Sequence, residues 1–175
     1  MKSTGKSIYL FLLFFISVIG SSVAKQPLLQ LNGELIESLQ RGGYIIYFRH
    51  TESDHDKHGV FPVDLSNCDL QRPLSDSGRQ QATLIGQAFK KLNIPLGLII
   101  SSPYCRTTDT AKLAFGRTKT DNLLASSYGL NLQGREKMAS RLIELLSSQP
   151  EEKTNAVIIG HSSNIRDATG DWPKP

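Results

Sequence analysis

Two apolar runs in this chain end abruptly in polar side chains that the runs themselves do not need. Tyr44-Ile45-Ile46-Tyr47-Phe48 gives way to Arg49-His50-Thr51, and Ala156-Val157-Ile158-Ile159 gives way to Gly160-His161. Short continuous apolar runs bounded by glycine predict strands buried on both faces. A third run, Leu98-Ile99-Ile100, ends in Ser101-Ser102-Pro103. Helical periods fill the intervals. Leu35, Ile36 and Leu39 predict a helix over 33–40, closed by Gly42-Gly43. Ser75 offers an N-cap to a helix with Ala82, Ile85, Ala88, Phe89 and Leu92 on its inner face, ending near Asn93 and Pro95. Further helices are expected from near Thr107 to Gly116 and from Arg135 to Ser147, and Leu123-Leu124-Ala125 reads as a weaker strand. Residues 51–70 show no period and carry Pro62 and several turn formers, which predicts a long loop after the first strand. Loops of that length are usually functional or mobile.

Strands alternating with helices predict an α/β fold, a three-layer sandwich with a mostly parallel central sheet and helices on both faces. Such sheets hold ligands at the carboxyl ends of their strands. His50 and His161 are therefore expected side by side at one edge.

The N-terminus is a different kind of segment. Lys2 and Lys6 precede the apolar run Ile8 to Ile19, and Ser22-Val23-Ala24 supplies small residues, which predicts a signal peptide over 1–24 and one domain over 25–175. About 12 apolar residues fall short of the roughly 20 that a spanning helix needs, so no stable anchor is expected after cleavage. The expected location is periplasmic or secreted. Loss of Lys2 and Lys6 lowers the formal charge from +4 to +2 and leaves no basic block, which argues against nucleic acid as a partner. In an oxidising compartment Cys68 and Cys105, the only cysteines, could pair or remain as two buried thiols.

Arg49-His50, the segment Ser101 to Arg106, and Gly160-His161 converge on one crevice and compose an anion site, because guanidinium groups hold phosphate oxygens in a fixed fork. The chain resembles the histidine phosphatase superfamily, related to phosphoglycerate mutase. The motifs are Arg49-His50-Thr51; Arg72-Pro73-Leu74-Ser75 with Gly78 and Gln81-Ala82; Ser101-Ser102-Pro103 with Arg106 and Thr110-Ala111; and Gly160-His161. Each is weak alone, and the four in order are specific. The resemblance implies His50 as a nucleophile that becomes phosphohistidine, with Arg49, Arg106 and His161 on the non-bridging oxygens and Thr51 among the substrate-binding residues. It implies a metal-independent phosphatase without a cofactor, acting on a small phosphomonoester, a sugar phosphate being one candidate. Two alternatives stay open: a noncatalytic phosphate-binding module of the same fold, and a protein phosphohistidine phosphatase. A mutase is disfavoured by the short connections between elements.

Two departures bear on mechanism. Family members usually draw a proton-donating carboxyl from the segment after the third strand, which here runs from Leu123 to Gly134 without Asp or Glu. Asp54, in the loop after His50, is the expected substitute, and a merely solvated acidic loop is the competing reading. The neighbouring His55, Asp56 and His58 match no metal pattern, so no metal site is expected. Family domains also continue further beyond the second histidine, which leaves truncation of the C-terminal part of the fold open. Asn164 to Thr169 reads as a helix start or a turn.

Overall fold

The computed structural model describes residues 33–172. The expected signal peptide over 1–24 lies outside the described residues. Four strands form one parallel sheet, β1 (Ile45–Arg49), β2 (Leu96–Ser101), β3 (Lys119–Thr120) and β4 (Asn155–Gly160), in the order β1-β4-β2-β3. Among the described residues five α-helices accompany them: α1 (Gly33–Arg41), α2 (Asp76–Lys91), α3 (Cys105–Phe115), α4 (Leu132–Leu146) and α5 (Ser162–Thr169). β4, the last strand in sequence, inserts between β1 and β2 and is buried along its whole length.

Alternation along the strands divides the core in two, as a pleated sheet covered on both faces requires. Ile45, Tyr47, Ile100 and Ile158 face Leu142, Leu145 and Leu146 of α4 and Ile165 of α5. Ile46, Phe48, Ile99, Val157 and Ile159 face Leu39 of α1, Phe89 of α2 and Ala111 of α3. The three layers expected from the pattern are present. Asn155 ties them together at the lower end, where its Nδ2 donates to the carbonyls of Leu39 and Pro95 while its Oδ1 accepts from the Tyr44 N–H.

Helix limits follow the caps. Ser75 accepts from the Gly78 N–H at 3.0 Å to open α2, and Gly116 closes α3 in the left-handed region at φ 73°. α4 begins at Leu132, ahead of the expected Arg135, because Asn131 caps it by accepting from the Gly134 N–H. Asn164 to Thr169 is part of a full helix, α5. One expectation fails: Leu123-Leu124-Ala125 is not a strand. Asp121 accepts from the Leu123 N–H at 2.8 Å and winds residues 122–124 into a 3₁₀ turn that drives Leu124 into the core, while the edge strand is the preceding Lys119–Thr120. Among the described residues, no helix is long and apolar enough to cross a membrane.

Candidate active site

Register places the chemistry. β1 pairs with β4 so that Arg49 lies opposite Gly160, which sets the next residues, His50 and His161, beside each other with ring centroids 5.4 Å apart. Ser101 of β2 pairs with Ile159, so Ser102 emerges at the same level, and Arg106 follows in the first turn of α3. Gly160 is required by packing: a Cβ there would collide with the Tyr47 hydroxyl. That hydroxyl donates to the His161 carbonyl at 2.8 Å and thereby fixes the backbone beneath the second imidazole. Burial pushes the Tyr47 phenol far above its ordinary range, so it stays a neutral donor.

The two rings carry their protons on different nitrogens. His50 Nδ1 lies 2.7 Å from the Thr51 carbonyl oxygen, which can only accept. Nδ1 therefore bears the hydrogen, and the Nε2 lone pair is free. Burial, then the charges of Arg106, Arg49 and Arg72, lowers the His50 pKa to about 3, against a Thr51 hydrogen bond that raises it. His50 is thus neutral at ordinary pH. Around His161 the logic inverts. Arg106 Nη2 sits 3.3 Å from Nδ1 and can only donate, so the ring proton is on Nε2 and goes to Ser102 Oγ at 2.9 Å. Burial, then His50 and Arg106, lowers the His161 pKa well below that of a free imidazole.

Arg106 is buried, lies over the Tyr104 ring at 4.4 Å, and keeps its Nε without a partner. Ion pairs between the described residues do not include Arg49, Arg72 or Arg106. Burial, and then the Arg72 charge, lowers the proton affinity of Arg49. Burial likewise brings Arg106 down to about 10, with Tyr104 opposing and Arg72 and Arg49 adding to the fall. Three cations without counter-charges, beside a neutral imidazole with a free lone pair, form a receptor for a polyanion at a nucleophile.

A cleft of about 330 Å³ adjoins this centre at Arg72 and Arg106, with Gln71, Tyr104 and residues of 58–63 and 126–128 in its lining, while Arg49, His50 and His161 lie outside that lining. Arg49, His50, Arg106 and His161 are brought together as expected. Two other expected site residues have partners of their own. Thr110 Oγ1 donates to the Arg106 carbonyl, so it accepts from the Thr51 N–H and hydroxyl, which makes Thr51 a brace between β1 and α3. The Asp54 carboxylate accepts from the Asp56 N–H and pairs with Lys57 at 3.7 Å. Glu52 is equally occupied, accepting from Ser75 Oγ at the head of α2. None of the described residues lining the cleft is a carboxylate. Among the described residues no three His, Cys, Asp or Glu side chains gather as a metal-ligand set.

Cys68 and Cys105 are joined by a disulfide. Residue 105 precedes Arg106, and its N–H donates to Gln71 Oε1 at 2.9 Å, so the bridge and this bond together pin the start of α3 to the segment bearing Arg72. Arg72, Gln71, Ser102 and Tyr104 were not given roles by the sequence. Arg72 stood within a recognised motif, but its distance from β1 along the chain concealed that its charge reaches His50.

Residues 45–129 match the model of the histidine phosphatase superfamily, branch 1. A Mycobacterium tuberculosis protein, the product of open reading frame Rv3214, is 24% identical, with a TM-score of 0.50 over 71% of this chain and 76% of that one. A phosphoserine phosphatase variant from Entamoeba histolytica, solved with phosphoserine, is 17% identical, with a TM-score of 0.50 over 71% and 76%. These likenesses show the fold. Among curated proteins, none matches the sequence.

Proposed function

We propose, on the premise that this chain belongs to the histidine phosphatase superfamily through residues 45–129, that it hydrolyses a small phosphomonoester through phosphohistidine at His50. The observation that carries the reading is the 2.7 Å contact from His50 Nδ1 to the Thr51 carbonyl, which leaves Nε2 as a neutral nucleophile among three unpaired guanidinium groups. Nε2 attacks phosphorus as the bond to the leaving oxygen breaks. Arg49, Arg72 and Arg106 take up the charge that spreads over the equatorial oxygens. None of the described residues lining the cleft is a carboxylate, so the departing oxygen takes its proton from solvent water. Water then attacks the phosphohistidine, releasing inorganic phosphate and restoring the neutral ring.

His161 acts in this scheme by holding Arg106, since its Nε2 proton is committed to Ser102. Hydrolysis is favoured over phosphoryl exchange because the described residues lining the cleft offer one guanidinium cluster, Arg72 with Arg106, and no second cluster to hold another phosphate. A sugar phosphate remains one candidate substrate. Export is part of the proposal, supported by the signal-like N-terminus and by a disulfide, which persists in oxidising compartments.

Turnover of p-nitrophenyl phosphate by the purified protein, compared with His50→Asn, tests the activity. Turnover by the parent and loss by at least about a thousandfold in the variant are expected. Phosphate or vanadate binding without turnover by the parent would instead identify a noncatalytic phosphate-binding module.

A further inference from the structure

The part of the cleft beyond the arginines is built from a different chemistry. Val60, Phe61, Val63 and Tyr128 line it, with His58 and Ser126, and no lysine or carboxylate accompanies them. Phe61 is 81% exposed and Tyr128 is 83% exposed, although a single exposed aromatic is ordinary on any surface. Here two aromatics on separate loops line the same cleft, continuous with a phosphate site. Apolar surface grouped around a concavity marks a ligand position more than chance exposure does.

Both loops are held in place from below. On one side the Val60 N–H donates to the Leu70 carbonyl at 2.8 Å, and Gly59 packs so closely on the Arg72 backbone that an added Cβ would lie 3.1 Å from its nitrogen. On the other side Ser127 is buried and its Oγ donates to Asp167 Oδ2 of α5 at 2.7 Å, while Ser126 Oγ lies 3.3 Å from Ser163 Oγ. On the second loop the anchor is a buried serine, Ser127, against Asp167 of α5, whereas on the first it is the backbone of the exposed Gly59 and Val60; both loops present their aromatics to the cleft. An anionic group placed between Phe61 and Tyr128 would lose hydration and meet the negative faces of two rings. An apolar ring would cover surface that water now meets.

We propose that these walls form a leaving-group subsite selecting phosphomonoesters whose alcohol carries an apolar ring, with Phe61 and Tyr128 as its two faces. The proposal rests on the reading of the arginine cluster as the phosphoryl site.

The test uses the full chain and two non-hydrolysable probes, ethylphosphonate and 2-phenylethylphosphonate, titrated calorimetrically. The ring should tighten binding by about tenfold or more. Phe61→Ala and Tyr128→Ala should each reduce that ratio, and the double variant should bring it near one. Equal affinities in the parent protein, a ratio unchanged in the double variant, or no binding of either probe would overturn the subsite. Turnover of the two corresponding phosphomonoesters, run in parallel, separates this inference from the hydrolase reading. Ring-dependent binding without turnover would count against hydrolysis and leave the subsite standing; turnover without ring preference would remove the subsite alone.

Discussion

Arg106 and His161 meet through Nη2 and Nδ1 at 3.3 Å, and because a guanidinium only donates, this contact decides which nitrogen of the imidazole carries the proton. The Nε2–H then requires an acceptor, which is Ser102 Oγ. Ser102 is fully buried and its hydroxyl also accepts from the Tyr104 N–H. Ser102→Ala should therefore leave a buried donor without a partner and loosen Arg106. Stability is expected to fall by about 1–2 kcal/mol in urea, with kcat/KM falling about tenfold. Unchanged kcat/KM would show that the Ser102–His161–Arg106 chain does not position the anion site.

Acid should destabilise the fold through its imidazoles. His50 in the folded protein is depressed to about 3, from 6.5, mainly by burial and by Arg106. The unfolded chain therefore binds a proton that the folded chain refuses, and stability is complete above about pH 6.5 and declines as pH falls toward 3. His161 shifts in the same direction and adds to the decline. Between pH 7 and 4 the loss from His50 should be on the order of 3 kcal/mol. Urea unfolding at the two values, repeated with His50→Asn, measures it: the variant should lose less stability on acidification than the parent. The acid limb of kcat/KM, corrected for the second ionisation of the substrate, should likewise lie well below 6.5.

The disulfide closes a loop with a sequence separation of 37 residues that contains Arg72 and the whole of α2. Loop-closure entropy puts its contribution at about 3–4 kcal/mol. Cys68→Ser with Cys105→Ser should lose that stability and also weaken phosphate binding, because the bridge helps hold Gln71 against the start of α3. Calorimetric titration of phosphate at a temperature where the variant is folded checks the second effect. Equal affinity in the two proteins would confine the bridge to stability.

Asn155 spends both amide hydrogens and its carbonyl oxygen on three separate segments while fully buried. Asn155→Leu would strand the Tyr44 N–H and remove one of two donors from each of the Leu39 and Pro95 carbonyls, at a cost of about 1–3 kcal/mol. Thermal unfolding of the variant measures this, and a shift smaller than that of an ordinary surface substitution would contradict the role.

The strands and helices that bury one continuous apolar face were legible from period alone, which is why β1, β4, α2 and α4 fall within a few residues of expectation. Leu123 to Ala125 was misread because its fate depends on the Asp121 side chain, which competes with strand pairing for the backbone. The cluster of Arg49, His50, Arg106 and His161 was legible because strand register is shared at the carboxyl edge. Thr51, implied by the resemblance, and Asp54, chosen from the loop after His50, have side-chain partners in Thr110 and in Asp56 and Lys57. Nothing in the local sequence signals those partners. Phe61 and Tyr128 were equally hidden, since loop residues lack a period from which a shared cleft could be inferred.

The central claim is that His50 Nε2 forms a bond to phosphorus, and mass spectrometry of the intact protein after rapid alkaline quench of a turning-over sample tests it most directly. The account predicts the mass of one added phosphoryl group, stable in base, lost in acid, located at His50 and absent from His50→Asn. Steady turnover with no such adduct, or with the phosphoryl group on another residue, would contradict it.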